Sequence, residues 1–342
     1  MSDHTVHLAV DMVSGDFGLR VTVPAALKAL LTFPNIFLHL VGDESSLESA
    51  LSAWPELERS RVTTLHAPDD LKMGHQPSDV LKNIDSSPIR IALEALARQQ
   101  VVAVVSAGNA GALMILARKL VGMLKDAGRP AFCSVFPTRK GVSLMLDLGA
   151  NVDCSAEQLC SFALLGSALF SSLYSQPSPR IALLSNGVET GKGNLQSRRA
   201  AALIERNPQL NYSGYIEANT LHEGNADVVV SDGFSGNIAL KAIEGTAELA
   251  AENLAKLLHA QTDILISAAV QKQLLTDFSN AMDPELHNGA FLLGLAGIVV
   301  KAHGNSSIDG FVASIGQALQ CEEHQMIAKI SEQLASAASP AA

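Results

Sequence analysis

Residues 101–120, VVAVVSAGNAGALMILARKL, constrain this chain more than any other stretch. They open with a short apolar, β-branched run, too short to span a membrane and of the length and composition of a buried parallel strand. The run breaks into Ser106-Ala107-Gly108-Asn109-Ala110-Gly111 and resumes as a helical pattern with Leu113, Leu116, Ala117 and Leu120 on one face. A strand, a small-residue turn and a helix in that order aim the helix's unpaired N–H groups beyond the strand's carboxyl end. That position favours an anion, most often phosphate. From this stretch alone, a plain tight turn between two packed elements reads the same way.

The unit has companions on both sides. Residues 6–10 read as a strand ending at Asp11 and a loop over 12–18, followed by a helix over 22–33 with Pro24 in its first turn. Strands at 36–41 and 62–66 flank a helix at 45–53. This alternation is the signature of a parallel sheet covered by helices. Residues 67–87, polar and broken by Pro68, Gly74 and Pro77, interrupt it as a lid or a disordered loop. A helix over 88–98 leads back into the opening stretch. Further strands are expected at 131–136, 142–148, 181–184, 212–217 and 227–231, with a broken apolar pair at 292–301. Further helices are expected at 156–174, 195–206, 238–258, 263–278 and 308–319, and an Ala/Ser-rich tail from Ser331 is expected to be disordered. No repeat and no linker divides residues 1–330, which are expected to form one domain.

Composition narrows the function. The chain has 342 residues, 48% of them hydrophobic, with one Trp and three Tyr, so its core must come from Ala, Leu, Ile and Val. The formal net charge of −10 speaks against a nucleic-acid-binding body, which needs clustered Lys and Arg. Cys133, Cys154, Cys160 and Cys321 lack a CxxC pair and any Cys/His zinc spacing, the pattern of free thiols in a reducing cytoplasm. The start, MSDHTVHLAVDM, lacks the basic region and long apolar core of a signal peptide. No run reaches the ~18 consecutive apolar residues of a spanning helix. The expected location is therefore the cytoplasm, with membrane contact at most peripheral.

Five strand ends draw on the same vocabulary of Gly, Asn and Asp, one of them with a cation, Lys192: residues 11–18, 106–111, 147–153, 186–194 and 232–237. In an open α/β sheet, ligands sit outside the carboxyl ends of the strands, so five such ends are expected to share one rim and one site. The familiar phosphate motifs fail. From Gly187 to Gly191-Lys192 the spacing is one residue short of a P-loop, with Gly193 where Ser or Thr should stand. Gly191-Lys192-Gly193 lacks the third glycine of a dinucleotide fingerprint. What survives is a phosphate or acyl-phosphate site built from backbone amides, Asn side chains and a lysine. Such a set suits acyl transfer to phosphate, in which the anion is itself the nucleophile and no Ser-His-Asp triad is needed. The protein has to hold a dianion ~3–3.5 Å from a carbonyl and stabilise the oxyanion. His303 could donate a proton to a leaving thiolate, or serve only as a capping or core histidine.

The strings VSGDFG…VTVPAALKAL, VSAGNAGALM, RPA, LDLGANVDC, GKGN, ADVVVSDGFSGNIALKAIEG and VVKAHG, in this order, resemble the bacterial phosphate acyltransferase family over about residues 5–320. The resemblance implies an α/β fold: a three-layer α/β/α unit with a large mixed, mostly parallel sheet, like isocitrate/isopropylmalate dehydrogenase and related to phosphotransacetylase. It implies conversion of acyl-[acyl carrier protein] and phosphate to acyl phosphate and free carrier protein, feeding phospholipid synthesis. It also implies a homodimer, peripheral membrane contact beside a downstream membrane glycerol-phosphate acyltransferase, and no metal or nucleotide cofactor. By position, Lys192 and Asn237 match the family's catalytic candidates, and Asp232 the acid of its CDGF-type motif. Asp11 and Asp16 match the acids of its first loop, and Ser106, Gly108 and Asn109 its SAGN loop. Asn151, Gly193, Asn194, Lys301 and His303 complete the expected phosphate and substrate contacts.

The chain departs from the family pattern at Ser14, where a glycine is usual, and at Ala110, where Thr is usual. SNGVET replaces the common NIGEE, leaving Glu189 as the one acid. Asn83 and Ile84 thin the basic cluster before Ser86-Ser87, with Lys82 kept, and Pro88 stands where Met is common. Apolar faces between residues 238 and 278 suggest a helical hairpin for dimer packing and, from the resemblance, lipid contact. Arg198-Arg199 and Arg139-Lys140 are candidate docking cations for an acidic carrier protein, and solvated surface is the alternative. Two other functions stay open at this stage: a phosphotransacetylase-like enzyme using acyl-coenzyme A, and a non-catalytic scaffold for carrier protein or membrane.

Overall fold

The computed structural model describes residues 5–54, 58–68, 86–260, 267, 270–271, 273–275, 277–278 and 289–338. Its strands are β1 (Val6–Asp11), β2 (Ile36–Gly42), β3 (Val62–His66), β4 (Ala103–Ser106), β5 (Ala131–Thr138) and β6 (Gly141–Leu146). They continue with β7 (Arg180–Leu184), β8 (Asn211–Ile216), β9 (Val228–Val230), β10 (Ala290–Leu293) and β11 (Ile298–Lys301). The helices are α1 (Leu19–Thr32), α2 (Glu44–Ser52), α3 (Pro88–Ala97), α4 (Ala110–Leu120) and α5 (Ala156–Tyr174). After them come α6 (Leu195–Glu205), α7 (Gly233–Ala260), α8 (Ile308–Glu323) and α9 (Met326–Ala338). All these strands join one sheet in the order β3-β2-β1-β4-β11-β10-β5-β6-β9-β7-β8.

Helices cover both faces. Alternate residues of one strand feed opposite cores, as the period of two requires: Leu8 and Val10 belong to the core that α1, α5 and α8 share, while Ala9 belongs to that of α3 and α4. Strands buried on both sides read as unbroken Val, Ile and Leu. The three-layer α/β/α architecture with a mixed, largely parallel sheet is the one expected.

Strand direction corrects one expectation. β3, β2, β1, β4 and β11 run parallel to one another, and so do β6, β9, β7 and β8. Between them β10 is antiparallel to β11 and to β5, and β5 is antiparallel to β6, so the two halves of the sheet point in opposite directions. The five loops therefore do not share one rim. Two of them follow β1 and β4, and three follow β6, β7 and β9. β5 makes the two rims meet. Cys133 pairs with Phe291 on one side and with Leu146, the last residue of β6, on the other. Ala290, one residue before Phe291, pairs with Lys301, the last residue of β11. Both carboxyl edges thus stop at the level of Cys133 and Ser134, approaching from opposite directions.

Helix ends supply the other corrections. α1 begins at Leu19, a turn early, so Pro24 lies inside the helix rather than in its first turn. α7 begins at Gly233, which turns the expected loop 233–237 into its first turn. Residues 331–338 belong to α9 instead of a disordered tail: Met326, Ile330 and Leu334 are buried and pack on α5. Ser172 Oγ in α5 donates to His324 O over 3.0 Å just before that helix. α5 is also long and apolar enough to cross a membrane by length and composition, and it lies in the core. The expected lid over 67–87 falls mostly outside the described residues, and the expected helix over 263–278 falls half outside them.

Candidate active site

The first rim is a tightly bonded frame. Asp11, at the end of β1, is buried; its Oδ2 accepts from Ser106 Oγ over 2.7 Å and its Oδ1 from the N–H groups of Val13 and Ser14, both over 3.3 Å. Ser106 Oγ also accepts from Gly108 N over 3.0 Å, and Ser14 Oγ accepts from Ala107 N over 3.0 Å. The unusual Ser14 therefore ties the first loop to the fourth strand's loop. Asn109 caps α4, accepting from Ala112 N over 3.0 Å. Asp16 N donates to Gly304 O over 2.7 Å. Burial holds the Asp11 carboxyl above its usual range against these hydrogen bonds.

Lys301 ends β11 inside this frame. Its ammonium donates to Ala107 O over 3.3 Å and to Ala302 O. Burial pushes its pKa down to about 8, against the opposing pull of Asp11 and Asp16. It is charged at neutral pH, poorly solvated, and suited to an anion.

The second rim is built backbone to backbone. Asp147, fully buried after β6, accepts from Phe132 N (2.9 Å) and Ala150 N (3.1 Å) on one oxygen and from Asn151 N (2.6 Å) and Nδ2 (2.9 Å) on the other. Asn151 Nδ2 also donates to Pro130 O over 2.8 Å. Asn151, expected to bind phosphate, is instead buried in the frame that shapes this loop. α7 starts directly on it. A Cβ at Gly233 would stand 2.6 Å from Asn151 O, and one at Gly236 would collide with the Asp147 carbonyl oxygen. The glycines of GFSG are thus the price of bringing Asn237 over Gly149, whose own Cβ position lies 3.7 Å from the Asn237 amide carbon.

The rims enclose a cleft of about 210 Å3 lined by Asn237, Lys241 and Glu244 of α7, Ser134 of β5, and Lys301 and His303. The three α7 residues recur at i, i+4 and i+7, one face of the helix. His303 Nε2 lies 3.6 Å from Glu244 Oε1. Burial, then Lys301 and Lys241, holds the imidazole below its usual pKa, and burial raises Glu244. Lys241 and Glu244 are not among the site residues expected from sequence; their i+4 and i+7 spacing from Asn237 is the signal that finds them. Among the described residues no group of three or more His, Cys, Asp or Glu converges at metal-ligating spacing.

Two larger recesses lie nearby, of which the first shares lining residues with the cleft and the second borders the first through Ala218, Ala239 and Ala242. One, about 740 Å3, runs between β5 and α7 and shares Ser134, Leu240, Glu244 and His303 with it. The other, about 680 Å3, lies on the opposite side of the first turns of α7 and is lined by Gly193, Asn194, Asp232, Phe234 and Ile238. The expected site residues are accordingly divided. Asn237, Lys301 and His303 meet in the polar cleft, while Asp232, Gly193 and Asn194 line the second recess. Asn194 caps α6, accepting from Ser197 N over 2.9 Å, and Asp232 accepts from Ser235 N over 2.7 Å. Lys192 is exposed on the loop beside that recess, its side-chain stem against Gly187, and lines neither it nor the cleft. Arg198 is exposed and donates to Gly193 O over 2.7 Å; Arg199 beside it is exposed.

A large mixed sheet with a polar cleft where two opposed carboxyl edges meet defines a class of fold. A phosphotransacetylase from Streptococcus pyogenes superposes with a TM-score of 0.59 at 15% identity, covering 92% of this chain and 94% of its own. 4-Hydroxythreonine-4-phosphate dehydrogenase from Klebsiella pneumoniae superposes at 0.54 and 15% identity, covering 92% and 98%. The fold is that of the phosphotransacetylases and the dehydrogenases built like them. Residues 6–329 match the family model described as fatty acid synthesis protein. The phosphate acyltransferase of Stutzerimonas stutzeri (strain A1501) is 43% identical over 327 residues, which is 96% of this chain and 92% of that one. The chain belongs to the phosphate acyltransferase family and is an enzyme.

Proposed function

We propose that the enzyme moves the acyl group of acyl carrier protein thioester onto inorganic phosphate, giving acyl phosphate and free carrier protein for phospholipid synthesis. The observation that carries this reading is the cleft in which Lys301, Lys241, Asn237 and the Glu244–His303 pair meet. Two ammonium groups offset the charge of a phosphate dianion, and the Asn237 amide can donate to the thioester oxygen as it becomes an oxyanion. A phosphate oxygen attacks the carbonyl carbon, the new C–O bond forms, and collapse of the tetrahedral intermediate breaks C–S. The proton carried by hydrogen phosphate passes through His303, whose neutral imidazole accepts it and returns it to the departing thiolate. Asp232, Gly193 and Asn194 would meet the sulfur side of the donor from the second recess, with Lys192 on the exposed loop beside it. Arg198 and Arg199 would receive the acidic carrier.

The same reading puts the enzyme in the cytoplasm as a homodimer in peripheral contact with the membrane, handing its product to a membrane glycerol-phosphate acyltransferase. Its support is the exposed Leu249 and Leu257 on α7, two turns apart. One assay tests the reaction: purified protein with acyl-carrier thioester and phosphate, scored for acyl phosphate, and repeated with acyl-coenzyme A. Turnover with the carrier thioester is expected. Turnover with coenzyme A alone would replace the donor, and turnover with neither would overturn the reading.

A further inference from the structure

We infer that the recess of about 740 Å3 between β5 and α7 seats the donor's acyl chain, and that its length sets how much of the chain is buried. This rests on the acyl-transfer reading. Four residues join the recess to the polar cleft: Ser134, Leu240, Glu244 and His303 line both. A thioester carbonyl held beside Asn237 can therefore send its tail into this recess. Beyond Ser134 the apolar wall is Phe136, Leu240, Ile243 and Ala247, with Phe136 and Ala247 buried, and Thr138, Asn219 and Thr246 add hydroxyl and amide groups. The apolar wall gives an alkyl chain close contact and would leave many backbone N–H and C=O groups of a peptide without partners.

His222 lines the recess on the side of the hairpin, with Nδ1 2.8 Å from Pro137 O and its ring edge-on to Phe136 at 5.8 Å between centroids. The His222 carbonyl accepts from Arg139 N over 2.8 Å, binding that side of the recess to the tip of the β5–β6 hairpin. Ser134 and Arg139 are five residues apart in extended chain, about 16 Å at the usual rise per residue. A fully extended chain advances about 1.2 Å per bond. The recess thus covers on the order of a dozen carbons past the carbonyl before the tail reaches the exposed hairpin tip at Arg139, and a volume of this size suits such a tail.

The test uses unbranched alkylphosphonates from methyl to hexadecyl, which carry a phosphate-like head and cannot turn over. Calorimetric Kd for the purified enzyme is expected to fall about three- to fourfold per methylene and to level off near a dozen carbons. In Ala247→Phe and in Ile243→Trp, which narrow the recess from different positions, the break is expected at chains at least four carbons shorter. A Kd that ignores chain length, or a break that stays put in both folded variants, would overturn the inference. Acyl-carrier thioesters of the same lengths form the second arm. If none is turned over while the phosphonate break persists, the acyl-transfer reading falls and the alkyl site stands. If all are turned over with a length profile both variants leave unchanged, the acyl-chain site falls and the reaction stands.

Discussion

His303 Nε2 and Glu244 Oε1 stand 3.6 Å apart across the gap between the two halves of the sheet. One residue follows the last strand of the first half and the other rides on the helix that follows β9 of the second. The contact gives the imidazole an anionic neighbour in a place where burial and two lysines otherwise disfavour its charge.

Glu244→Gln removes that anion while keeping shape. The His303 pKa then falls further, so the acidic limb of kcat/KM against pH moves to lower pH by up to about one unit. Loss of the paired acid lowers kcat by about 10- to 100-fold. An acidic limb unmoved in the variant would separate Glu244 from proton transfer.

Lys301 loses its charge as pH rises through about 8, because its folded pKa lies below the ordinary lysine value. The KM for phosphate is therefore expected to climb above pH 8, approaching tenfold per unit. Lys301→Arg keeps the charge and removes that climb, and Lys301→Met raises KM at every pH. A phosphate KM flat from pH 7 to 9.5 in the parent enzyme would reject the assignment.

Asn237→Ala and Gly236→Ala, adjacent in sequence, should fail in different ways. Asn237→Ala removes one oxyanion donor and lowers kcat by about 10²- to 10³-fold with Tm nearly unchanged. Gly236→Ala forces a methyl against the Asp147 carbonyl and costs about 2–4 kcal/mol, read as a fall in Tm. Equal Tm values for the two variants would contradict the close packing of α7 on its loop.

Lys192→Ala is expected to lower kcat by about 10²-fold with carrier thioester. Arg198→Glu with Arg199→Glu should raise KM for the carrier donor and leave small thioesters unaffected. If both donors respond equally, the carrier docks elsewhere.

Ile330→Ala in α9 should cost about 2–4 kcal/mol, the usual range for emptying a buried isoleucine site, measured by denaturant unfolding. A disordered tail would show no loss.

Much of this was legible before any coordinates. Strands such as β1 and β4 are short Val/Ala/Leu runs that only a doubly covered sheet can bury, and the Gly-Asn-Asp loops mark their carboxyl ends. Strand direction was hidden, because the reversal depends on β10 and β5, whose apolar runs look like any others. α7 was misjudged at its start: Gly233 and Gly236 read as loop residues, and only close backbone contact with Asp147 and Asn151 explains them inside a helix. Asn151 looked like a ligand because its loop is polar, yet the buried Asp147 carboxylate claims it. α9 was missed because Ala and Ser concealed the four-residue spacing of Met326, Ile330 and Leu334.

The stagger on β5 has an evolutionary corollary. The width of the cleft is set by the pairing of one strand with β10 and β6, and pairing changes only in whole residues, each step reversing every side chain's face. The gap between lysine and amide therefore cannot drift by fractions as loops lengthen or shorten. Residues on either rim, or the hairpin tip, can change without moving that register, as teeth keep their pitch on a rack.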